Sequence, residues 1–472
     1  MVRLILVIFL TFALSSQTHA AVKWNNSSNT SSSSPKTQLK IENPIPALSG
    51  LGINSMVMWS GLAPDELNPH LFKDNFLNHF SNLTEYGFKH MVLVSCADWI
   101  ISLSCKQWWQ DKEFIIEAAK LLLDNTNLHV VVQLKGYKSR IVDGRKRHTL
   151  YEALENDKVV QQKFISSWID ITTELKSYPK DRLSFSLLNE PEFEFPKVTK
   201  FRRDKWLKIA RRTIEEIRRV SPNRVILLEG VGKSLFSRRF TKTGMYKYYN
   251  PNDILLPINL DNVIYAFHTY EPERFTQQGT VFGWGIPYSE KFSKVVAKDA
   301  KKAIAWANKH QVPIMITEIG CVGFLEDREG PETNSECGKL ATDLKSNYLD
   351  AGVGISWWAL EKEKTIFNRN CRNKWGSEAN CWMPSGSLVP NEAIFSAFGL
   401  KSEIENFTYT EERQSVKKVN KPILSKLRKD AGFRECLLKN GFKDGQLNQA
   451  RFHPFARESQ LTIDRISKSN CL

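Results

Sequence analysis

The chain has 472 residues, 42% of them apolar and 25% charged. These ordinary values exclude a largely disordered, fibrous or multi-span membrane chain. The net charge of +15, from 66 Lys and Arg against 51 Asp and Glu, favours acidic partners in principle. No nucleic-acid motif accompanies it, so the excess is read as a solvated basic surface and no nucleic-acid partner is expected.

Residues 1–20 have the form of a secretory signal peptide. Arg3 supplies the positive end, Leu4 to Leu14 the short apolar run, and Thr18-His19-Ala20 the small-residue cleavage pattern. The protein is therefore expected to be secreted, extracellular or periplasmic, after cleavage near Ala20. No later run approaches the length of a membrane span, so no transmembrane segment is expected. Residues 21–47, rich in Ser and Asn, read as a linker. Asn25, Asn26, Asn29, Asn82 and Asn406 begin Asn-x-Ser/Thr triplets, which carry glycans only in a host equipped for it.

From residue 48 to 399 short apolar runs alternate with amphipathic stretches. The expected strands are Gly50–Ser55, His90–Ser95, Leu128–Leu134, Leu183–Leu188, Arg224–Glu229, Val263–Phe267, Val312–Thr317 and Gly352–Trp358. They are short and rich in β-branched residues, and lack strict polar alternation, as strands covered on both faces should be. Helical periodicity is expected over Asp74–Tyr86, Phe114–Leu123, Val160–Leu175, Lys205–Val220, Phe292–His310 and Gly338–Leu349. Eight strands each followed by a helix or long loop predict an α/β fold, a (β/α)8 TIM barrel. A doubly wound sheet would announce a glycine-rich nucleotide loop, and Gly50-Leu51-Gly52-Ile53-Asn54 lacks its third glycine. Residues 400–472 lose the alternation and carry 15 Lys and Arg against 9 Asp and Glu. They read as a small, basic, mostly helical extension stapled by a disulfide.

Export would place the eight cysteines in an oxidising compartment, where an even count favours disulfides. Proximity in sequence suggests Cys96–Cys105, Cys321–Cys337, Cys371–Cys381 and Cys436–Cys471, one of many possible connectivities. No phosphate-cradling loop and no cluster with metal-ligand spacing appears, so no cofactor and no metal are expected.

In such a barrel the chemistry sits where the strands end. The fourth run ends Leu187-Leu188-Asn189-Glu190-Pro191, the sixth Phe267-His268-Thr269-Tyr270, the seventh Ile316-Thr317-Glu318-Ile319-Gly320 and the eighth Trp357-Trp358. Glu190 and Glu318, 128 residues apart, are thus expected to face each other across the mouth. Paired carboxylates are what glycoside hydrolysis requires: one protonates the leaving oxygen, the other attacks the anomeric carbon or activates water. Glu190, before a proline and in a partly buried setting, suits the acid. Asn189 suits a sugar 2-hydroxyl, Tyr270 a bond to Glu318, His268 substrate or the acid, and Trp358 a stacked sugar ring. Trp59 and Trp99, on loops after the first two strands, are either groove faces or small-core residues.

Leu187–Pro191, Phe267–Tyr270, Ile316–Gly320 and Ser356–Trp358 together resemble glycoside hydrolase family 5, the cellulase-like members of clan A, over about residues 48–400. The resemblance implies a TIM barrel and retaining hydrolysis of β-linked glycans such as β-glucans or β-mannans. It assigns Glu190 as acid/base, Glu318 as nucleophile, and Asn189, His268, Tyr270 and Trp358 as supporting residues. Two positions depart from the family pattern. Val92 stands where the second strand usually carries an arginine, and Lys135 stands where the third usually ends in histidine. The partner expected is a polysaccharide or oligosaccharide, and the protein is expected to be a monomer. Two other readings remain: a non-catalytic glycan-binding protein on a divergent barrel, and an envelope anchor acting through residues 400–472.

Overall fold

A computed structural model of the chain describes residues 43–55, 80, 83–101, 112–136, 140–142, 145–147, 149–191, 200–231, 238–240, 246–248, 255–277, 286–321, 335–359, 367–368, 389–401, 426, 430–442, 447, 466 and 471. The signal peptide, most of the linker, the five Asn-x-Ser/Thr sites, Trp59, Cys105, Cys371 and Cys381 lie outside these residues.

Eight strands form the centre: β1 (Leu51–Ser55), β2 (His90–Cys96), β3 (His129–Lys135), β4 (Leu183–Ser186), β5 (Ile226–Glu229), β6 (Val263–His268), β7 (Ile314–Ile319) and β8 (Gly354–Trp357). They close into a barrel in chain order, every neighbouring pair parallel, with Leu51 opposite Ile355 where β1 meets β8. The eight expected strands are all present, each within a few residues of its predicted span. Their apolar runs are nearly continuous because both faces are covered. Val92, Val94, Val131, Leu227, Ile264, Ala266 and Met315 point inward and fill the barrel. Met91, Leu93, Val130, Val132, Ile226, Leu228, Ile314 and Ile316 belong to the larger cluster beneath the helices. Burying each such side chain contributes about 1.5–3 kcal/mol before entropy is counted.

The helical layer comprises α1 (Leu83–Tyr86), α2 (Lys112–Asn125), α3 (Thr149–Asn156), α4 (Lys158–Leu175), α5 (Lys200–Val220), α6 (Glu273–Thr276), α7 (Glu290–His310), α8 (Ser335–Asn347) and α9 (Glu392–Phe398). In α2 the buried set Ile115, Ala118, Ala119 and Leu122 follows the helical period. Asp157 caps α4 by accepting from the Val159 and Val160 N–H groups. Only the end of the expected helix Asp74–Tyr86 falls in the described residues, and there it is helical.

The linker boundary moves. Residues 43–47, assigned to the linker by composition, belong to the barrel: Ile45 and Leu48 are 3% and 0% exposed and join the interior cluster. A 3-10 turn, Pro46–Ser49, closes this end and takes the Nδ1 of His90 on the Ala47 carbonyl at 3.0 Å. Composition missed it because the segment is too short for any periodicity. Beyond Lys401, the described residues of the extension include α10 (Ala431–Lys439), and Phe433, Leu437, Phe442, Leu447 and Ile466 form a small core of their own. The disulfides Cys321–Cys337 and Cys436–Cys471 are formed, and Cys96 is also disulfide-bonded.

Candidate active site

The C-terminal ends of β3 to β8 converge, and local sequence explains how each side chain is aimed. Along β7 alternation should send Thr317 inward and Glu318 outward. Instead the register slips between Ile316 and Ile319, and again at Phe267/His268 on β6, so Glu318 also turns to the mouth, opposite His268. After β4 the same problem is solved by backbone conformation: Glu190 adopts φ +42°, a left-handed geometry unusual for a side-chain-bearing residue. Buried aromatic donors brace these strand ends. Tyr151 OH donates to the Asn189 carbonyl at 2.7 Å, Trp168 to Leu187 at 3.2 Å and Trp206 to Glu229 at 2.8 Å.

His268 lies at the centre, 1% exposed. Its Nδ1 is 2.9 Å from Glu190 Oε1 and 3.4 Å from Glu318 Oε2, and its Nε2 is 3.3 Å from Glu229 Oε1. One oxygen from each of Glu190 and Glu318 and one His268 nitrogen lie within 4.8 Å of one another. A divalent cation can use such a donor set, but here the imidazole itself spans the two acids. Tyr270 OH donates to Glu318 Oε1, and Thr276 Oγ1 holds the Tyr270 carbonyl from behind. Asp299 on α7 accepts from Thr269 at 2.8 Å and from Tyr348 at 3.0 Å, fixing the residue between His268 and Tyr270.

Burial alone would push His268 toward its neutral form. The negative charges of Glu229 and Glu318, with the hydrogen bond to Glu229, outweigh that loss of hydration, and its pKa is raised despite the opposing charge of Lys135.

Of the residues expected from sequence, Asn189, Glu190, His268, Tyr270, Glu318, Lys135 and Trp358 all come together at this mouth. Asn189 is fully buried, and neither end of its carboxamide has a hydrogen-bond partner among the described residues. Lys135 Nζ lies 4.7 Å from the centre of the Trp358 ring, a cation–π contact. Trp99 is committed elsewhere: its indole donates to the Cys96 carbonyl at 2.8 Å and it packs on the main core, the small-core role of its two alternatives. Val92 lies in the apolar barrel interior with Val94, Val131 and Met315.

Sequence reasoning missed Glu229. It is 3% exposed at the end of β5, and its carboxylate accepts from Gln133 Nε2 at 2.7 Å, the Glu190 N–H at 2.7 Å and Thr317 Oγ1 at 3.1 Å, besides its contact with His268. The available signal was the one used elsewhere, since the fifth apolar run also ends in a carboxylate.

Among proteins of known structure, the Thermotoga maritima endoglucanase Cel5A superposes with a TM-score of 0.51 at 19% identity, over 75% of this chain and 99% of that one. The same enzyme in complex with mannotriose gives 0.50 at 18% identity, over 75% and 98%. At such identities the likeness speaks for the fold. Endoglucanase 3 of Fibrobacter succinogenes is 27% identical over 203 residues, 34% of this chain but 28% of that protein, so this chain matches little more than a quarter of its length. Residues 103–364, more than half of the chain, match the cellulase family, glycosyl hydrolase family 5. The chain belongs to glycosyl hydrolase family 5.

Proposed function

We propose that the protein is a secreted, retaining glycoside hydrolase that cleaves O-glycosidic bonds within a β-linked polysaccharide, a β-glucan before a β-mannan. The observation that carries this reading is the approach of Glu190 and Glu318, oxygens within 4.8 Å, on opposed strand ends of the barrel mouth. Carboxyl groups about 5–5.5 Å apart leave no room for an attacking water between the second carboxylate and the sugar, which favours a covalent glycosyl-enzyme over inversion. The preference for glucan rests on the name of the Fibrobacter relative. Secretion rests on the pattern of residues 1–20.

In the first step a Glu318 oxygen bonds to the anomeric carbon while the glycosidic C–O bond breaks and its oxygen takes the Glu190 proton. In the second, Glu190 accepts a proton from water, whose oxygen displaces Glu318 and releases the sugar with retained configuration. Tyr270 donates to the Glu318 carboxylate and so favours its ionised, aimed form. Asn189 holds a buried carboxamide with both ends unmatched among the described residues, which would otherwise cost about 1–3 kcal/mol per group. A sugar 2-hydroxyl, donor and acceptor at once, matches it.

The test is release of reducing ends from β-1,4-glucan, β-1,3-glucan, mannan and xylan by wild type and Glu318→Ala. Activity on one polymer that vanishes in the variant supports the reading. For the assignment of roles, Glu190→Ala should still glycosylate on aryl glycosides with good leaving groups, and azide should then rescue turnover. Equal loss in both variants without rescue would reverse or remove the assignment. Silence of folded wild type on all four polymers, with retention of one of them on an affinity matrix, would favour the glycan-binding reading that Val92 motivates.

A further inference from the structure

We propose that Glu229 is the positioning residue of this active site: its carboxylate locks the turn that aims Glu190 and holds His268 as the cation lying between Glu190 and Glu318. The inference rests on the hydrolase reading and deepens it.

Two separate features lead here. The first is conformational. Glu190 sits at φ +42°, where a side chain beyond Cα is disfavoured by about 1–2 kcal/mol. Something must hold it, and Glu229 Oε2 accepts the Glu190 N–H at 2.7 Å. The other oxygen takes Gln133 Nε2 at 2.7 Å and Thr317 Oγ1 at 3.1 Å. Groups from β3, from the turn after β4 and from β7 thus clamp one carboxylate, and the carboxylate clamps the backbone of the acid.

The second is electrostatic. Facing His268 are Glu190 from the end of β4, Glu229 from β5, Glu318 from β7, Tyr270 from its own strand's end and Lys135 from β3. With Glu190 carrying its proton, as the first step demands, the cluster among the described residues holds two anions, Glu229 and Glu318. It also holds two cations, His268 and Lys135. Deleting Glu229 leaves two cations against one anion in a buried site, and His268 is the cation able to discharge itself. Val92 is apolar where the family pattern has arginine, and the His268 Nδ1 stands 3.4 Å from Glu318 Oε2. A carboxylate below the ring, bonded to Nε2, also leaves Nδ1–H pointing at Glu190 and Glu318.

The experiment compares wild type, Glu229→Gln and Glu229→Asp on 4-nitrophenyl β-cellobioside and on β-1,4-glucan across pH 4–9. Glutamine keeps size and shape but not charge. It should lower kcat about 10- to 100-fold with little change in KM. It should also move the alkaline limb of kcat/KM to lower pH by about one unit or more, because an opposite charge at this range raises an imidazole pKa by about 1–3 units. Aspartate keeps the charge but shortens the reach to Glu190. It should lower kcat while leaving the alkaline limb near that of wild type. A folded Glu229→Gln protein with the wild-type pH profile overturns the proposal, as does an Asp variant whose limb shifts as far as the Gln variant's. The histidine charge is read independently in unmutated protein by NMR of ring-labelled histidine, with His268→Gln supplying the assignment. A His268 ring already neutral at pH 6.5 overturns the proposal even if Glu229→Gln does not fold. If wild type cleaves nothing, the hydrolase reading fails, and the same titration compared between wild type and Glu229→Gln still decides whether Glu229 holds the charge.

Discussion

At the scale of single residues, the site is organised around groups whose hydrogen-bonding capacity is either fully committed or held in reserve. Among the described residues Glu229 is committed on both oxygens, and Asn189 on neither side-chain atom. The reserve predicts a signature for Asn189. Asn189→Ala should not destabilise the free protein, since it removes a buried carboxamide that has no partner among the described residues. It should still lower kcat/KM about 100-fold on an ordinary β-glucoside, because a contact to the 2-hydroxyl tightens in the transition state. On a 2-deoxy substrate wild type and variant should converge, and a persistent 100-fold gap there would refute the contact. Tyr270→Phe removes a donor from Glu318, so kcat should fall and the acidic limb of kcat/KM should move to higher pH; an unmoved limb would count against it. The two carboxylates, Asn189, His268 and Tyr270 were legible because each ends an apolar run and each residue type has a definite task. Glu229 ends such a run as well, yet its role depends on the backbone N–H of Glu190 and on Gln133. Those are contacts across strands about 40 and 100 residues away in sequence, which no local pattern displays.

At the scale of elements, closure of the barrel depends on two glycines where other groups come too close for a side chain. A Cβ on Gly354 would stand 1.8 Å from the Leu48 carbonyl oxygen, part of the 3-10 turn that closes the lower end. One on Gly52 would stand 2.1 Å from the His90 ring. Gly354→Ala meets backbone, which cannot step aside without displacing the turn. It should therefore cost more than the usual 1–3 kcal/mol of overpacking, about 3 kcal/mol or above, by urea denaturation. Gly52→Ala meets a side chain, so His90→Ala in the same protein should relieve much of its cost. Strict additivity of those two changes would show that the clash is not what destabilises. The strands themselves were readable from composition alone, because double-sided burial demands short β-branched runs. Other elements were not. Thr149–Asn156 has no long period to detect, Pro46–Ser49 is a single turn, and the ribbon pairing Arg140–Val142 with Arg145–Arg147 reads RIV–RKR, with little apolar content.

At the scale of the whole molecule, the two ends of the barrel respond to acid in opposite ways. At the mouth the neighbouring carboxylates raise the pKa of His268, whereas at the lower end burial lowers those of two histidines. His90 and His129 start neighbouring strands side by side. Each ring is satisfied on both nitrogens, His90 by Ala47 and Ser356, His129 by Asp181 and Ser184. Burial pushes His90 down to about 3 and His129 down to about 4. Unfolding releases both to the ordinary value near 6.5, so the unfolded chain binds two protons that the folded one refuses. Their contribution to stability is complete above pH 6.5 and is lost as pH falls toward 4 and then 3. His268, raised, works with the opposite sign, its contribution being complete below pH 6.5 and lost as pH rises through its folded value. Between pH 7 and 5, above the range where ordinary carboxylates titrate, the lower pair should cost the fold about 2 kcal/mol each, about 4 kcal/mol together. Urea unfolding at pH 7, 6 and 5 measures this, and His90→Asn with His129→Asn isolates it, since the general repulsion of a chain already at +15 affects both proteins alike. The double variant, less stable at pH 7, should lose much less between pH 7 and 5 than wild type does. An equally steep loss in both would place the acid sensitivity elsewhere than in the lower end of the barrel.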